Sequence, residues 1–207
     1  MRIMLTMLRA EELAARLEAL GHEPVVVPLV AVEPLGDDPI ELDGYDWVIV
    51  TSVTGARELC RRGRGGAARV AAIGRATAEA WGGAVDLVPA VSTQEGLLAE
   101  LPRPAGRVLF AGAEGARRLL VDALEADFLP LYRTHELAPA EVPEADLAVV
   151  ASASAARALA RTGVRLPAVS IGPETTRAAR AAGLDVVAEA ATHDLEGLLA
   201  AVAAAER

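Results

Sequence analysis

Short apolar runs alternate along the whole chain with longer segments rich in Ala, Leu, Arg and Glu. Runs such as PVVVPL at 24–29 and DWVIVTS at 46–52 are β-branched and have the length of buried strands. The segments between them, such as 54–62 and 174–182, repeat their apolar residues with helical period. Strands that are apolar throughout and alternate with helices are typical of parallel sheets covered on both faces. The pattern therefore predicts an α/β fold with doubly wound parallel sheets.

The same pattern predicts the bounds of the elements. The predicted strands are 2–7, 24–29, 46–52, 69–74, 85–90, 107–112, 128–133, 147–152, 168–172 and 185–190. The predicted helices are 10–20, 54–62, 93–101, 114–124, 154–161, 174–182 and 193–206. Because crossovers between parallel strands are right-handed, functional loops are expected at the carboxyl ends of the strands.

The second half of the chain repeats the first. RVAAIGRATAEAWGGAV at 69–85 and AVSIGPETTRAARAAGL at 168–184 both run from an apolar stretch through Ile-Gly to a Thr in an Ala-rich helix. TSVTGARELCRRG at 51–63 matches ASASAARALARTG at 151–163, and EGLL occurs late in both halves. The repeat unit of about a hundred residues indicates an internal tandem duplication.

The connections divide the chain in a way that does not follow the two copies. The junction between the copies is only PRPAG at 102–106, whereas long acidic segments with Pro lie inside each copy at 32–44 and 134–146. Because such segments are typical of interdomain linkers, we expect a discontinuous domain of 1–31 plus 147–207 and a continuous domain of 45–133. Each would hold a five-stranded, flavodoxin-like sheet, with a cleft between the two. One domain per copy is the alternative.

Composition excludes several classes of function. The net charge of −9 disfavours nucleic-acid binding, and the lone Cys60 excludes an internal disulfide. The three histidines, His22, His135 and His193, have no metal-ligand spacing, so no metal site is expected. The chain has no lysine, which excludes Schiff-base and P-loop chemistry. Without an 18-residue apolar run or a signal peptide, we expect a cytoplasmic protein that binds no membrane.

The loops after the strands share small residues, hydroxyl groups and an Arg in the following helical turn. Helix N-termini carry unpaired N–H groups and partial positive charge, and several of them together could bind a ligand with many carboxylates. Ser and Thr are also ordinary N-caps, and Thr77 and Thr175 are expected to cap their helices. No dinucleotide, P-loop or nucleophile-elbow motif is present, and no His lies near Ser52 or Ser152.

The loops hold few titratable groups, and Tyr132 is the exception. It is expected to end the last strand of the continuous domain, whereas the other tyrosine, Tyr45, opens a strand beside the first linker. A phenol there could donate a proton or a hydrogen bond to a leaving group. Packing between the domains is the structural alternative.

Five motifs of this sequence are distinctive together: AIGRATAEA, SIGPETTRAARAAGL, VIVTSVTGAR, FLPLYRT and EGLL. Through these motifs the chain resembles the uroporphyrinogen-III synthase family along its whole length. Two segments depart from that family: its Thr-Arg-Pro opening is replaced by LTMLRAEE, and its second Thr-Ser is Ala151-Ser152. The resemblance implies that Tyr132 is catalytic. It implies a substrate-binding set of Arg9, Ser52, Gly74, Thr77, Gly112, Ser152, Gly172, Pro173 and Thr175.

The resemblance also implies a reaction. A cofactor-free monomeric lyase would cyclise hydroxymethylbilane, a linear tetrapyrrole with eight carboxylates, to uroporphyrinogen III with loss of water and inversion of the last pyrrole. Such a reaction depends mainly on holding a flexible substrate in the productive geometry. Two other classes stay open on the sequence: a two-lobed small-molecule binding protein without catalysis, and a glycosyltransferase-like enzyme.

Overall fold

The computed structural model describes residues 1–66, 68–139 and 141–206. Strands and helices alternate through much of the described chain, but β3, β4 and β6 are strands that the hydrophobic pattern did not predict. The strands are β1 (Arg2–Leu5), β2 (Glu23–Val26), β3 (Val30–Pro34), β4 (Ile40–Glu41), β5 (Trp47–Val50), β6 (Gly63–Arg64), β7 (Arg69–Ala72), β8 (Val108–Ala113), β9 (Asp127–Glu136), β10 (Leu147–Val150), β11 (Pro167–Ser170) and β12 (Asp185–Glu189). The helices are α1 (Glu11–Ala19), α2 (Val53–Arg62), α3 (Arg75–Trp81), α4 (Gln94–Glu100), α5 (Leu119–Leu124), α6 (Ala153–Arg161), α7 (Pro173–Ala181) and α8 (Leu195–Ala205).

The chain separates into two compact units. Unit 1 is Met1–Ala31 with His135–Arg207, and unit 2 is Val32–Thr134. The chain therefore passes between the units twice, once within β3 and once within β9. One unit is discontinuous in sequence and the other is continuous.

Unit 1 is built on a five-stranded sheet in the order β2-β1-β10-β11-β12, and all its strand pairs are parallel. Counted along the unit, this is the order 2-1-3-4-5 of flavodoxin-like sheets. The central strand β1 pairs Ile3 with Pro24 on one side and with Leu147 on the other. Residues 3 to 5 are fully buried, which explains why this strand is apolar without alternation.

Helices cover both faces of this sheet. Ile3 and Leu5 pack on one face with Leu13 and Leu17 of α1 and with the apolar side of α8. Met4 points to the other face and packs with α6 and α7. The successive side chains of β1 thus enter two separate cores, as the period of an extended strand requires.

Unit 2 has an equivalent sheet in the order β3-β9-β8-β5-β7. The strand pairs β9–β8, β8–β5 and β5–β7 are parallel. Val48 and Val50 pack with α2 and α3 on one face, and Trp47 and Ile49 pack with α4 and α5 on the other. Phe110 of β8 is fully buried and lies with its ring 5.6 Å from that of Phe128.

The strand predicted at 85–90 is reduced to one bridge. Leu87 bridges Ala71 in parallel, and the N–H groups of Asp86 and Leu87 both donate to the carbonyl of Val70 at 2.8 and 3.1 Å. Pro89 has no N–H to extend the ladder, and Val88 is exposed. The prediction of a full strand here was wrong, although the position is that of a fifth strand.

The two sheets share one order when the repeat is taken into account. In unit 2, β9, β8, β5, β7 and Leu87 take the places that β2, β1, β10, β11 and β12 take in unit 1. Each unit therefore combines the opening strands of one copy with the closing strands of the other. This shared order is consistent with the predicted tandem duplication.

The two acidic segments predicted as linkers are partly packed into the units. Ile40 and Leu42 belong to the apolar core of unit 2, and Val142 and Ala145 pack against the core of unit 1. Residues 134–136 continue β9, and Ala140 lies outside the described residues. The Pro and acidic content suggested solvated connections, but Ile40 and Leu42 between those residues are buried and Val142 and Ala145 are partly buried.

Arg62 ties one of these segments to unit 2. Its guanidinium donates to the carbonyl oxygens of Asp38, at 2.9 Å, and Leu35, at 3.4 Å, and the residue is only 7% exposed. A guanidinium cannot lose its proton here, so the backbone of 35–38 satisfies part of a buried charge. The neighbouring Arg61 instead pairs with Asp37 and Glu58 at the surface.

Replacement of Arg62 is expected to destabilise unit 2. Arg62→Ala removes hydrogen bonds from a charged donor and leaves two carbonyls without it, so the free energy of unfolding should fall by about 1–3 kcal/mol. Arg61→Ala is the matched control, because exposed ion pairs contribute about 0–1 kcal/mol. Urea denaturation followed by circular dichroism measures both. Equal losses would show that Arg62 holds nothing beyond a surface ion pair.

Candidate functional site

The predicted site residues divide between the units, and within each unit they lie on the strands, in the loops after strands or in the first turn of the following helix. Unit 2 contains Ser52, Gly74, Thr77, Gly112 and Tyr132, and unit 1 contains Arg9, Ser152, Gly172, Pro173 and Thr175. Helices α2, α3, α6 and α7 each begin directly after such a loop. Their N-termini therefore open at the carboxyl edge of the sheets, where α/β proteins bind ligands.

Ser52 and Tyr132 are brought together by the fold, although 80 positions separate them in sequence. Ser52 is the N-cap of α2, and its Oγ accepts the N–H of Gly55 at 2.9 Å. The same Oγ lies 2.9 Å from the phenolic oxygen of Tyr132. Sequence reasoning singled out both residues but gave no reason to pair them.

Tyr132 is a buried phenol. It lies opposite Ala113 in the ladder between β8 and β9, and it is 7% exposed. Burial raises the pKa of Tyr132 above its ordinary value of 10.0, and the hydrogen bond with Ser52 opposes that rise. The phenol is therefore protonated at neutral pH and can donate. Tyr132 does not end its strand as predicted, because β9 continues to Glu136.

The two repeated Thr residues do not cap their helices. The N-caps of α3 and α7 are Gly74 and Gly172, and neither helix has a side-chain cap. Thr77 and Thr175 lie in the first turn, within three positions of the cap, and each is 5% exposed. The prediction of capping was wrong because the Gly residues occupy the cap positions and the Thr residues are buried within the first turn.

Gly172 is required for space. Its backbone is extended, with a φ of 166°, so any residue could adopt its conformation. A Cβ built on Gly172 would overlap the imidazole of His193. The corresponding Gly74 faces Ser92, whose Oγ would lie 3.0 Å from such a Cβ. A histidine thus covers the beginning of α7 in unit 1, where a serine covers the beginning of α3 in unit 2.

Unit 1 also contains a polar chain beside α7 that sequence reasoning missed. The Oγ of Ser170 lies 2.5 Å from Oγ1 of Thr176, and Thr176 in turn donates to the carboxylate of Glu189. Ser170 is fully buried and Thr176 is 7% exposed. Alignment of the two copies could have signalled this chain, because unit 2 has Ala72 and Ala78 at the positions of Ser170 and Thr176.

The other predicted residues have simpler surroundings. Ser152 is the N-cap of α6, and its Oγ accepts the N–H of Ala155 at 3.1 Å. Gly112 is buried within β8, opposite Pro130. Pro173 opens α7, and Arg9 is exposed just before α1. Ser152 is therefore in the same position as Ser52, but its side chain has a capping bond and no contact with a phenol.

The described part of the chain contains neither a candidate metal site nor a helix that could span a membrane. In residues 1–66, 68–139 and 141–206, no group of three or more His, Cys, Asp and Glu side chains could hold a metal ion. None of the helices in these ranges is long and apolar enough to cross a membrane.

Fold and site together define the class: an α/β protein with two flavodoxin-like units whose helices open at the carboxyl edges of parallel sheets. The chain belongs to the uroporphyrinogen-III synthase family. The family model described as "Uroporphyrinogen-III synthase HemD" matches residues 11–200. The resemblance seen in the sequence is thereby confirmed.

Individual relatives agree with this family. A putative uroporphyrinogen-III synthase of Methanocaldococcus jannaschii is 29% identical over 141 residues, which cover 62% of this chain and 59% of the relative. The match thus spans about three fifths of that curated protein. A crystal structure of a mutant uroporphyrinogen III synthase from the extremely thermophilic bacterium Thermus thermophilus is similar with a TM-score of 0.63 and 20% identity. It is matched over 99% of this chain and 98% of that one, which confirms the α/β fold class.

Ser52 and Ser152 provide a matched pair for the contact with Tyr132. Each Ser→Ala change removes one N-cap, so each should cost about 1 kcal/mol of stability. Only Ser52→Ala should also raise the pKa of Tyr132 further, because the Ser52 hydrogen bond lowers it. The measurement is an ultraviolet titration of tyrosinate in a Tyr45→Phe background, where Tyr132 is the remaining tyrosine. An unchanged pKa of Tyr132 in Ser52→Ala would contradict the hydrogen bond between the two side chains.

Gly172 and Gly74 test the covering residues in the same way. Gly172→Ala should destabilise the protein by about 1–3 kcal/mol more than Gly74→Ala, because its methyl group meets an imidazole and not a small hydroxyl. The shared effect of placing Ala at an N-cap cancels in the comparison. Thermal unfolding measures both variants, and His193→Ala in the Gly172→Ala background should restore most of the excess loss. A lack of restoration would contradict the packing of His193 on Gly172.

Proposed function

We propose that the protein cyclises hydroxymethylbilane to uroporphyrinogen III, with loss of water and inversion of the last pyrrole. Membership of the uroporphyrinogen-III synthase family supports this reaction. The observation that carries the proposal is the buried, protonated phenol of Tyr132, which is hydrogen-bonded to Ser52 beside the N-terminus of α2.

The substrate needs little chemical help and much positioning. An electron-rich pyrrole can expel the hydroxyl group of its own hydroxymethyl arm once that oxygen receives a proton. The resulting electrophilic methylene carbon is then attacked by the pyrrole at the other end of the chain. The enzyme must hold the chain so that the inverted closure is faster than the direct one, which is catalysis by orientation.

Tyr132 supplies the proton in this proposal. Its O–H donates to the departing hydroxyl as the carbon–oxygen bond breaks, and water leaves. The pyrrole at the far end attacks the freed methylene carbon with the ring carbon that already bears its own bridge, which gives a spiro intermediate. The old bridge bond then breaks, and the turned pyrrole closes the macrocycle by bonding its free α-carbon to that bridge carbon. The α-carbon then releases a proton that returns to the phenolate. One water is lost and Tyr132 is regenerated. Ser52 holds the phenol in place and can donate to the transient phenolate, which agrees with its lowering of the phenol pKa.

The strand-end loops are proposed to bind the carboxylates. Helix N-termini present N–H groups to anions, and all twenty basic residues of this chain are arginines, which suit carboxylates. The proposed substrate-binding residues are Arg9, Ser52, Gly74, Thr77, Gly112, Ser152, Gly172, Pro173 and Thr175. Thr77 and Thr175 are kept in this set because their backbone belongs to the first turn of α3 and α7, where both residues are buried. Neither side chain caps its helix.

We also propose that the enzyme acts as a cytoplasmic monomer with two domains that correspond to the two compact units. Each unit has its own pair of apolar cores, which supports independent folding of each sheet. Size-exclusion chromatography with light scattering tests the monomer, and a mass near twice 21.4 kDa would overturn it.

Tyr132→Phe is expected to slow formation of uroporphyrinogen III by about 100-fold or more, because it removes the general acid and leaves the ring and its packing. Tyr45→Phe is the matched control. That phenol bonds to Asp127, the first residue of β9, beside the stacked guanidinium of Arg107, so its loss should leave the rate unchanged. The assay feeds freshly generated hydroxymethylbilane and identifies the macrocycle isomer. A normal rate in Tyr132→Phe with normal melting would return Tyr132 to a packing role.

The pH dependence follows from the raised pKa of Tyr132. The donor form exists below that pKa, so activity that needs the phenol should persist through neutral pH and fall only above pH 10.0, the ordinary value. That alkaline limb should be missing from the residual activity of Tyr132→Phe.

Binding of the substrate without turnover by the wild-type protein would favour a binding protein. Turnover of a sugar nucleotide would favour a glycosyltransferase.

A further inference from the structure

We infer that Ser170, Thr176 and Glu189 form a positioning network that sets the beginning of α7 for substrate binding in unit 1. The inference rests on the proposed function, since Gly172, Pro173 and Thr175 belong to the proposed substrate-binding set. The three network residues are not expected to touch the substrate. They act through the backbone of the loop between β11 and α7.

The network links three elements at one edge of the sheet. Ser170 is the last residue of β11, Thr176 is the fourth residue of α7, and Glu189 is the last residue of β12. Thr176 lies between the other two, 2.5 Å from Ser170 Oγ on one side and hydrogen-bonded to Glu189 on the other. Because β11 and β12 are paired in parallel, the helix is fastened to two neighbouring strands at once.

The chemistry of the groups fixes the direction of the hydrogen bonds. An ionised carboxylate only accepts, so Thr176 must donate its one hydroxyl proton to Glu189. Ser170 must then donate to Thr176. Two hydrogen bonds in series polarise each other, and the one to a carboxylate is charge-assisted. With Ser170 and Thr176 buried, loss of the central hydroxyl would leave a buried donor without its partner.

The network reaches Gly172 through the backbone. The N–H of Thr176 donates to the carbonyl of Gly172 at 2.9 Å, which is the first hydrogen bond of α7. On the other side, the carbonyl of Ser170 accepts the N–H of Ala190 at 2.8 Å. The residues before and after the loop are therefore both held, and the orientation of the Gly172 peptide depends on them.

The other copy of the repeat lacks these groups. Ala72 ends β7 and Ala78 lies in α3 at the corresponding places, and both pack into the apolar core of unit 2. Methyl groups suffice there to pack the helix on the sheet. The fold of a unit therefore does not require the polar chain, which unit 1 has and unit 2 lacks. We infer from this difference that the chain orients the loop that contains Gly172.

Thr176→Val tests this network, because valine keeps the shape of the side chain and removes the hydroxyl. The KM for hydroxymethylbilane should rise about tenfold, the loss of about 1.4 kcal/mol in binding, while kcat stays within about twofold, because the phenol of Tyr132 is untouched. Thr176→Ser should restore KM, since it restores the hydroxyl. A fall in kcat with unchanged KM would contradict a positioning role in binding.

Thr162→Val is the matched control. Thr162 also donates its hydroxyl to a neighbour, the carbonyl of Leu159 at 2.7 Å, but it lies at the end of α6. Its loss should affect stability and leave KM unchanged. If both variants raise KM equally, the effect is one of general stability and the positioning network is wrong.

Hydrogen exchange separates this inference from the proposed function. The amide of Thr176 should exchange at least about tenfold faster in Thr176→Val than in the wild type, whatever the protein catalyses. A wild-type protein that forms no uroporphyrinogen III would overturn the proposed function and leave this exchange result standing. An active wild type with unchanged exchange and KM in Thr176→Val would overturn the network alone.

Discussion

The burial of both faces of two parallel sheets is the constraint on which the rest of the structure depends. The central strands β1, β5 and β10 are buried at nearly every position, so each sheet needs helices on both sides. Parallel strands must be joined by right-handed crossovers, which bring the start of each following helix to the carboxyl edge. The burial of the strands therefore places the Ser and Gly N-caps of α2, α3, α6 and α7 at that edge, and the proposed function uses positions that the fold already supplies.

Corresponding positions of the two units carry different groups on equivalent scaffolds. Ser52 and Ser152 cap corresponding helices with the same geometry, yet only Ser52 meets a phenol. Gly74 and Gly172 open corresponding helices, yet a serine covers the first and a histidine the second. One unit thus contains the proposed proton donor, and the other contains the more polar surroundings of a helix N-terminus. Corresponding positions of the two units therefore have different chemical surroundings.

Sequence patterns predicted what depends on local periodicity and on repetition. Strand and helix types, the parallel arrangement and the pairing of strands from different copies could all be inferred, because buried strands and amphipathic helices have distinct periods. The loss of the strand at 85–90 and the packing of the acidic segments could not be inferred from the sequence. Whether Leu87 extends a ladder depends on the neighbouring strand, and the burial of Ile40 and Leu42 depends on the core that receives them. Composition describes a segment but does not show what it packs against.

The candidate site shows the same limit at the level of single side chains. Ser52 and Tyr132 were both singled out, but their contact depends on strands β5 and β9, which lie on either side of β8. The surroundings of Tyr132 distinguish it, because the fold buries its phenol and places the phenolic oxygen 2.9 Å from Oγ of Ser52. Tyr45 has the same side chain in a more exposed place, bonded to Asp127. Residue type therefore identifies candidates for chemistry, and the surrounding fold decides which of them can act.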